Sequence, residues 1–384
     1  MSNSDILVRW VKSETFKYFV PISLTYNWCY GYISFVMFII QVISGIILAM
    51  WYIPHVDFAF NSIQFIMTEV EYGWFVRYLH VNCVSFVFLT MFLHVLRGLY
   101  YGSYSFPRVK IWLSGILIFL LMVVTAFLGY VLPWGQMSYW GATVITSLIG
   151  VIPAIGRDLQ FYIWGGYFID QPALGKFFSA HYALPFIIIG MIGLHFIYLH
   201  NVGSNNPLGI ETNDRVPLYP YLIWKDVCWF LFFLTLLCTV LYFSPNYLNH
   251  PDNSIPADFS CTPAHIVPEW YFLLFYAVLR SVPNKELGVV MMVFSILIIA
   301  VLPFLHRILP KGTQNGRFRP VFRYVFWWFV FNSLLLGVLG ACPLESPYLE
   351  SSQVISVLYF AQLFSFLPGI YLVECFSFFL LCRK

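Results

Sequence analysis

The chain has 384 residues, 60% of them hydrophobic and only 10% charged, with a formal net charge of +3. Together with a mean hydropathy of +0.78, this excludes a soluble globular domain and a disordered chain, and points to a polytopic membrane protein. The near-neutral total gives no ground for expecting nucleic acid as a partner.

Apolar stretches of about 20 residues predict eight spans, near residues 31–52, 77–101, 112–132, 176–199, 223–243, 288–305, 322–340 and 353–381. Stretches this long and unbroken must be helices, because barrel strands are about half that length and alternate in polarity. The expected fold class is therefore all-α integral membrane, with the first four spans as a four-helix bundle. Residues 1–30 mix Lys, Arg and Glu with aromatics and lack an apolar core ending in small residues, so insertion is expected to rely on the first span. Alternating spans put fifteen of the twenty Lys and Arg on one side, while acids such as Asp57, Glu69, Asp158, Asp252 and Glu269 collect on the other. Both termini are then expected on the positive, inner side. The eight cysteines show no zinc spacing and no C-x-x-C-H, and read as free thiols.

The chemistry lies in the first four spans. The second carries His80 and His94, the fourth His181 and His195, each pair 14 positions apart. Fourteen residues of α-helix advance roughly 21 Å and return to nearly the same face. Two such helices can clamp two haem irons, each taking one histidine from either helix. Both spans run from outside to inside, so His80 pairs with His181 near the outer surface and His94 with His195 near the inner one. One intramembrane histidine is equally well a hydrogen-bonded group at a helix interface; four at matched spacing are poorly explained that way. Gly31 and Gly45 in the first span, and Gly115 and Gly129 in the third, repeat the 14-residue step and leave room for a flat macrocycle, with small-residue helix packing as the alternative. Gly31 and Gly115 fall at the inner depth, Gly45 and Gly129 at the outer. Arg77 and Arg97 flank the second span's histidines and are candidates for haem propionates, or for snorkelling to the interface.

Several long strings add a resemblance: Arg77-Tyr78-Leu79-His80, His94 to Tyr101, Gly129 to Ser138, Trp140 to Thr146, and Pro268-Glu269-Trp270-Tyr271. Over nearly its whole length the chain resembles the cytochrome b family in its mitochondrial form, the haem-carrying core subunits of ubiquinol–cytochrome c oxidoreductase, respiratory complex III. The resemblance implies two b-type haems, oxidation of ubiquinol at an outer pocket, reduction of ubiquinone at an inner one, and coupled proton translocation. It implies a mitochondrial inner-membrane location with termini on the matrix side. The implied partners are a Rieske iron-sulfur protein, cytochrome c1, other complex III subunits, a second copy in a homodimer, and phospholipid including cardiolipin, the last suggested also by the basic loop from His306 to Arg323. Residues 1–205 would form the haem-binding bundle, and residues 206–384 the region of the outer-site loop and subunit contacts.

By the same resemblance the outer pocket is built from Gly141, on a short surface helix, and from Pro268, Glu269 and Tyr271, with Tyr130, Phe272 and Tyr276 lining it. Glu269 is the expected proton acceptor. The matching inner-pocket residues are His200, Ser204 and Asp226, with Lys225 adjacent. Departures cluster there: Trp28-Cys29-Tyr30-Gly31-Tyr32 stands where the family usually has Trp-Asn-Phe-Gly-Ser, and Asn201-Val202 replaces Glu-Thr, so inhibitor sensitivity does not carry over. At the outer end Lys176 stands where arginine is common, keeping charge without a bidentate fork. Glu374, in the last span, is either paired or solvated near the basic terminus. Two other classes fit less well: a two-haem oxidoreductase without bifurcated quinol oxidation, and a haem-free transporter, which would place broken helices and polar groups at mid-membrane.

Overall fold

The computed structural model describes residues 17–305, 315–366, 369–370, 372–374 and 376. Seven helices in it are long and apolar enough to cross a membrane, and they coincide with the first seven predicted spans. They are α1 (Tyr30–Ala49), α3 (Gly73–Tyr100), α4 (Val109–Val131), α7 (Gln171–Val202), α8 (Ile223–Phe243, entered through a kinked turn at Leu218–Leu222), α10 (Lys285–Leu305) and α11 (Pro320–Ala341). Where the eighth span is predicted, the chain forms α12 (Tyr348–Ala361), which is not among the seven, and a wider turn at Gln362–Phe366; the end of the predicted span lies outside the described residues.

Two helices outrun the apolar windows that predict them. The second-span helix starts at Gly73 and the fourth runs from Gln171 to Val202, because a helix does not stop where the hydrocarbon does. Asp170 and Pro172 open the latter, and Gly203, at φ +74°, ends it. His200, beyond its predicted window, is thereby helical, and Arg77 and Lys176 stand within their helices rather than at the first residue. The interspan segments are also richer than expected, with α2 (Ala59–Thr68), α5 (Gln136–Ser147), α6 (Gly156–Trp164) and α9 (Leu273–Ser281). One element departs from an all-helical plan: a two-stranded antiparallel ribbon, β1 (Phe19–Pro21) with β2 (Arg215–Pro217). Prolines end both strands, so the ribbon stays short.

Helix α1 packs on α3 and α4 on α7, and Phe88, Phe119, Met37 and Cys83 are buried where α1, α3 and α4 meet. Helices α9 to α12 form a second aromatic cluster around Phe322, Phe326, Phe329 and Tyr359. The Trp112 indole N–H, 2.8 Å from the Ile299 carbonyl, joins α4 to α10. Glu374 settles one open reading: it is paired, 2.6 Å from the Arg319 Nε, and it also accepts the Phe322 amide at 3.2 Å in the first turn of α11.

Candidate functional site

Helices α3 and α7 bring the four histidines together in the expected pairs. The ring centroids of His80 and His181 are 6.3 Å apart, and those of His94 and His195 are 6.5 Å apart. A metal–imidazole bond of about 2.0 Å, with the ring centroid about 1.1 Å behind the nitrogen, separates two opposed ligands' centroids by about 6.2 Å. Both gaps thus have the width of one metal ion between two imidazoles.

Each ring is held from behind. The His181 Nδ1 donates to the Thr125 carbonyl at 2.8 Å, which leaves its Nε2 with a free lone pair. The Ser44 hydroxyl donates to the Ile40 carbonyl and lies 2.9 Å from His80 Nδ1. Ser114 does the same between the Ile111 carbonyl and His195 Nδ1, again at 2.9 Å. His94 differs, because its Nδ1 lies 3.3 Å from Nη2 of Arg97, a group that can only donate. Coordination through the far nitrogen of His94 asks Arg97 to turn towards an acidic acceptor. Arg97 is suited to that, since its Nε is buried without a hydrogen-bond partner and its guanidinium rests on the Trp28 ring, 5.3 Å from the centroid.

The glycines face the same rings. A Cβ on Gly31 would stand 3.0 Å from His94, one on Gly45 3.0 Å from His80, and one on Gly115 3.3 Å from His195, while one on Gly129 would overlap His181. Any side chain at these positions presses into the space in front of or beside an imidazole. A cavity of about 440 Å³ connects this geometry to the outer-pocket residues: Gly45, Arg77, His80, Gly129 and His181 line it together with Tyr130, Glu269 and Tyr271. The residues present therefore fit a bis-imidazole haem, with arginines free of carboxylate partners among the described residues for its acidic edge.

The Pro268–Tyr271 segment is pinned by its aromatics. Tyr271 stacks on Phe88 with centroids 4.2 Å apart, and the Trp270 indole donates to the Ser85 hydroxyl at 3.0 Å. Glu269 consequently faces the Tyr130 hydroxyl in an apolar wall, and burial raises its carboxyl to about 7. The Tyr276 hydroxyl donates to the Ile266 carbonyl at 3.2 Å. Phe272, Tyr276 and Pro268 support the motif without lining the 440 Å³ cavity, and Gly141 also lies off its wall, with open space where a Cβ would stand. Its helix α5 is fixed by Asn253, whose Oδ1 accepts from both the amide and the hydroxyl of Ser138 at 2.9 and 2.7 Å. Asn253 also lines the cavity, and no motif or spacing in the sequence singled it out.

At the inner end His200 stacks on Tyr18, centroids 4.3 Å apart. Asp226 is buried in the first turn of α8. Ser204 contributes its backbone carbonyl to Arg108 at 3.4 Å. Lys176 does not point freely at the outer histidines: its ammonium binds the Tyr162 carbonyl and rests on the Tyr162 ring.

Seven apolar helices and two imidazole pairs in register define a haem-binding transmembrane electron-transfer protein. Residues 15–203 match the family model described as Cytochrome b/b6/petB, and residues 256–360 match Cytochrome b(C-terminal)/b6/petD. The chain is 48% identical to cytochrome b of Dictyostelium citrinum over 96% of its own length and 95% of that protein's. It is 46% identical to cytochrome b of Chondrus crispus (96% and 97%) and 49% identical to that of Rickettsia bellii (91% and 88%). A chain of a hyperthermophilic respiratory complex III superimposes with a TM-score of 0.90 at 32% identity, covering 97% of this chain and 98% of that one. The chain belongs to the cytochrome b family, and is an integral membrane subunit of a respiratory complex.

Proposed function

We propose that the chain binds two b-type haems, one between His80 and His181 and one between His94 and His195, and carries out quinol oxidation and quinone reduction at opposite ends of the bundle. When bound, the haems supply single-electron transfer across the membrane. Oxidation of one ubiquinol releases two electrons and two protons. Glu269, half-buried on the cavity wall it shares with Tyr130 and Asn253, accepts one proton and passes it outwards. One electron goes to an iron-sulfur partner of the Rieske type and on to cytochrome c1, and the other crosses the bundle. Reduction of ubiquinone at the inner end consumes two electrons and two protons, with Asp226, His200 and Ser204 as the groups that bind and protonate it. Arg77 and Arg97 hold the haem propionates, and the four glycines keep the macrocycle faces clear. Residues 1–205 are the electron-carrying unit; residues 206–384 complete the outer pocket and meet other subunits. The setting that suits this reading is the mitochondrial inner membrane, with the termini on the matrix side, a homodimeric complex and cardiolipin among the surrounding lipids.

The observation that carries the reading is the pair of histidine gaps, 6.3 and 6.5 Å, with three Nδ1 atoms held by protein oxygens. A non-bifurcating two-haem oxidoreductase is disfavoured because Glu269 and Tyr130 share a cavity with His80 and His181. A reduced-minus-oxidised spectrum with redox titration of the purified complex tests the proposal. Two b-type components of separate potential support it, and a folded complex without b-type haem overturns it.

A further inference from the structure

The last three spans hold none of the residues assigned to the two quinone pockets, yet one arginine ties their framework to the outer one. Arg280 stands in the last turn of α9, where a cation suits the negative end of the helix dipole. Its Nη2 donates to the Leu339 carbonyl at 2.9 Å and to the Cys342 carbonyl at 3.0 Å, so the same guanidinium also closes the C-terminal end of α11. The guanidinium carbon lies 4.6 Å from the centre of the Tyr276 ring, one turn back on α9. Its buried Nε meets no hydrogen-bond acceptor among the described residues, and the face of the group is left to hold the ring. The Tyr276 hydroxyl in turn donates to the Ile266 carbonyl at 3.2 Å, three residues ahead of Glu269. Beyond Glu269 the segment is fixed by Trp270 on Ser85 and Tyr271 on Phe88; ahead of it, Tyr276 is the anchor. Helices α9 and α11 meet so closely that a Cβ on Gly340 would overlap the Leu273 carbonyl, so the base of this chain of contacts is firm.

We propose that Arg280 is a positioning residue of the outer pocket: seated on the end of α11, it holds the Tyr276 ring, and through the Tyr276 hydroxyl it fixes the backbone at Ile266 and with it the place of Glu269 on the cavity wall. This rests on the assignment of Glu269 to quinol oxidation and deepens it. Arg280 touches neither the cavity nor its contents. The C-terminal spans thereby act on the chemistry without supplying a group to it.

The test uses the intact complex in its membrane, with cytochrome c reduction followed at several concentrations of a short-chain ubiquinol. Arg280→Met, which keeps the length of the side chain and removes its charge and donors, is expected to lower kcat roughly tenfold, the scale of lost hydrogen bonds to a charged group and of a displaced reacting group. The KM for quinol stays within about twofold, because the loss falls on the reacting geometry rather than on binding. Oxidation of prereduced haem by quinone, measured with the outer pocket blocked by a stigmatellin-type inhibitor, and the haem spectrum are unchanged. Arg280→Lys, which keeps a charge and donors, restores most of the rate. Tyr276→Phe removes only the bond to Ile266; adding Arg280→Met to it costs less than about a further twofold, since both changes cut the same chain of contacts. If the methionine variant does not assemble, Arg280→Gln, which keeps donors and gives up the charge, takes its place in this cycle. A rate unchanged in Arg280→Met, a raised KM at unchanged kcat, equal losses at both pockets, lysine no better than methionine, or losses that multiply in the double variant would each overturn the role of Arg280. Absence of quinol oxidation in the unmodified complex, or a full rate in Glu269→Gln, would instead overturn the assignment of the outer pocket.

Discussion

The two ends of the bundle hold the same pair of imidazoles in different chemical surroundings. At the outer end the His80–His181 gap opens into a cavity shared with Tyr130 and Glu269, so that electron and proton acceptors stand in one space. At the inner end Arg97 lies between His94 and the Trp28 ring, and the buried carboxylate Asp226 stands apart in the first turn of α8. The ligand geometry is almost constant, 6.3 against 6.5 Å, whereas the proton-carrying groups are not. Matched helices provide the electron path, and unmatched loops decide what chemistry happens at each end.

The sharpest way to break the comparison is to remove one ligand at a time. His80→Leu should abolish one b-type component and His94→Leu the other, each leaving the remaining component in a redox titration. Loss of both from a single substitution would show that the ends are not independent. Next in size is the outer carboxylate. Glu269, raised to about 7 by burial, accepts a proton only when ionised, so outer-site turnover should rise with pH through roughly 6 to 8 and then level off. Glu269→Gln should lower it about a hundredfold and remove that rise, while inner-site reduction keeps its own pH profile. A Gln variant that retains the rise would assign it to another group.

The pairing of the histidines and the glycines that face them are legible in the sequence, because a 14-residue helical step has only one geometric outcome. Glu269 and Tyr271 were legible through their motif. The rest depended on contacts between segments far apart in the chain. Asn253 holds α5 from 115 residues away in sequence, and nothing local marks it. Lys176 keeps a charge at the outer end by sequence, yet Tyr162 takes the ammonium. The ribbon between residues 19–21 and 215–217 could not be read from three-residue strands. The sequence leaves Glu374 open between pairing and solvation, and Arg319, 2.6 Å away in the fold, makes it paired. With Arg319 almost fully buried, Glu374→Gln removes one partner of a buried ion pair and should cost about 3 kcal/mol. It should lower the thermal stability of the complex while leaving both haem potentials in place.

The glycines yield the smallest and most discriminating effects, because they compare the two ends through a single methyl group. A Cβ on Gly129 overlaps the His181 ring, whereas one on Gly115 meets His195 at 3.3 Å. His181 cannot retreat without breaking the 2.8 Å bond from its Nδ1 to the Thr125 carbonyl, which belongs to the same helix as Gly129. The ring at the other end is held by the Ser114 hydroxyl, which can rotate, and needs to give by only a few tenths of an ångström. Overpacking of this kind costs about 1–3 kcal/mol where neighbours are fixed. Gly129→Ala should therefore lower occupancy of the outer haem roughly tenfold or more, and Gly115→Ala should leave the inner haem bound with at most a small change in its spectrum. Equal effects would mean that the rings are not anchored as unequally as their hydrogen bonds indicate, and that the two ends differ only in their loops.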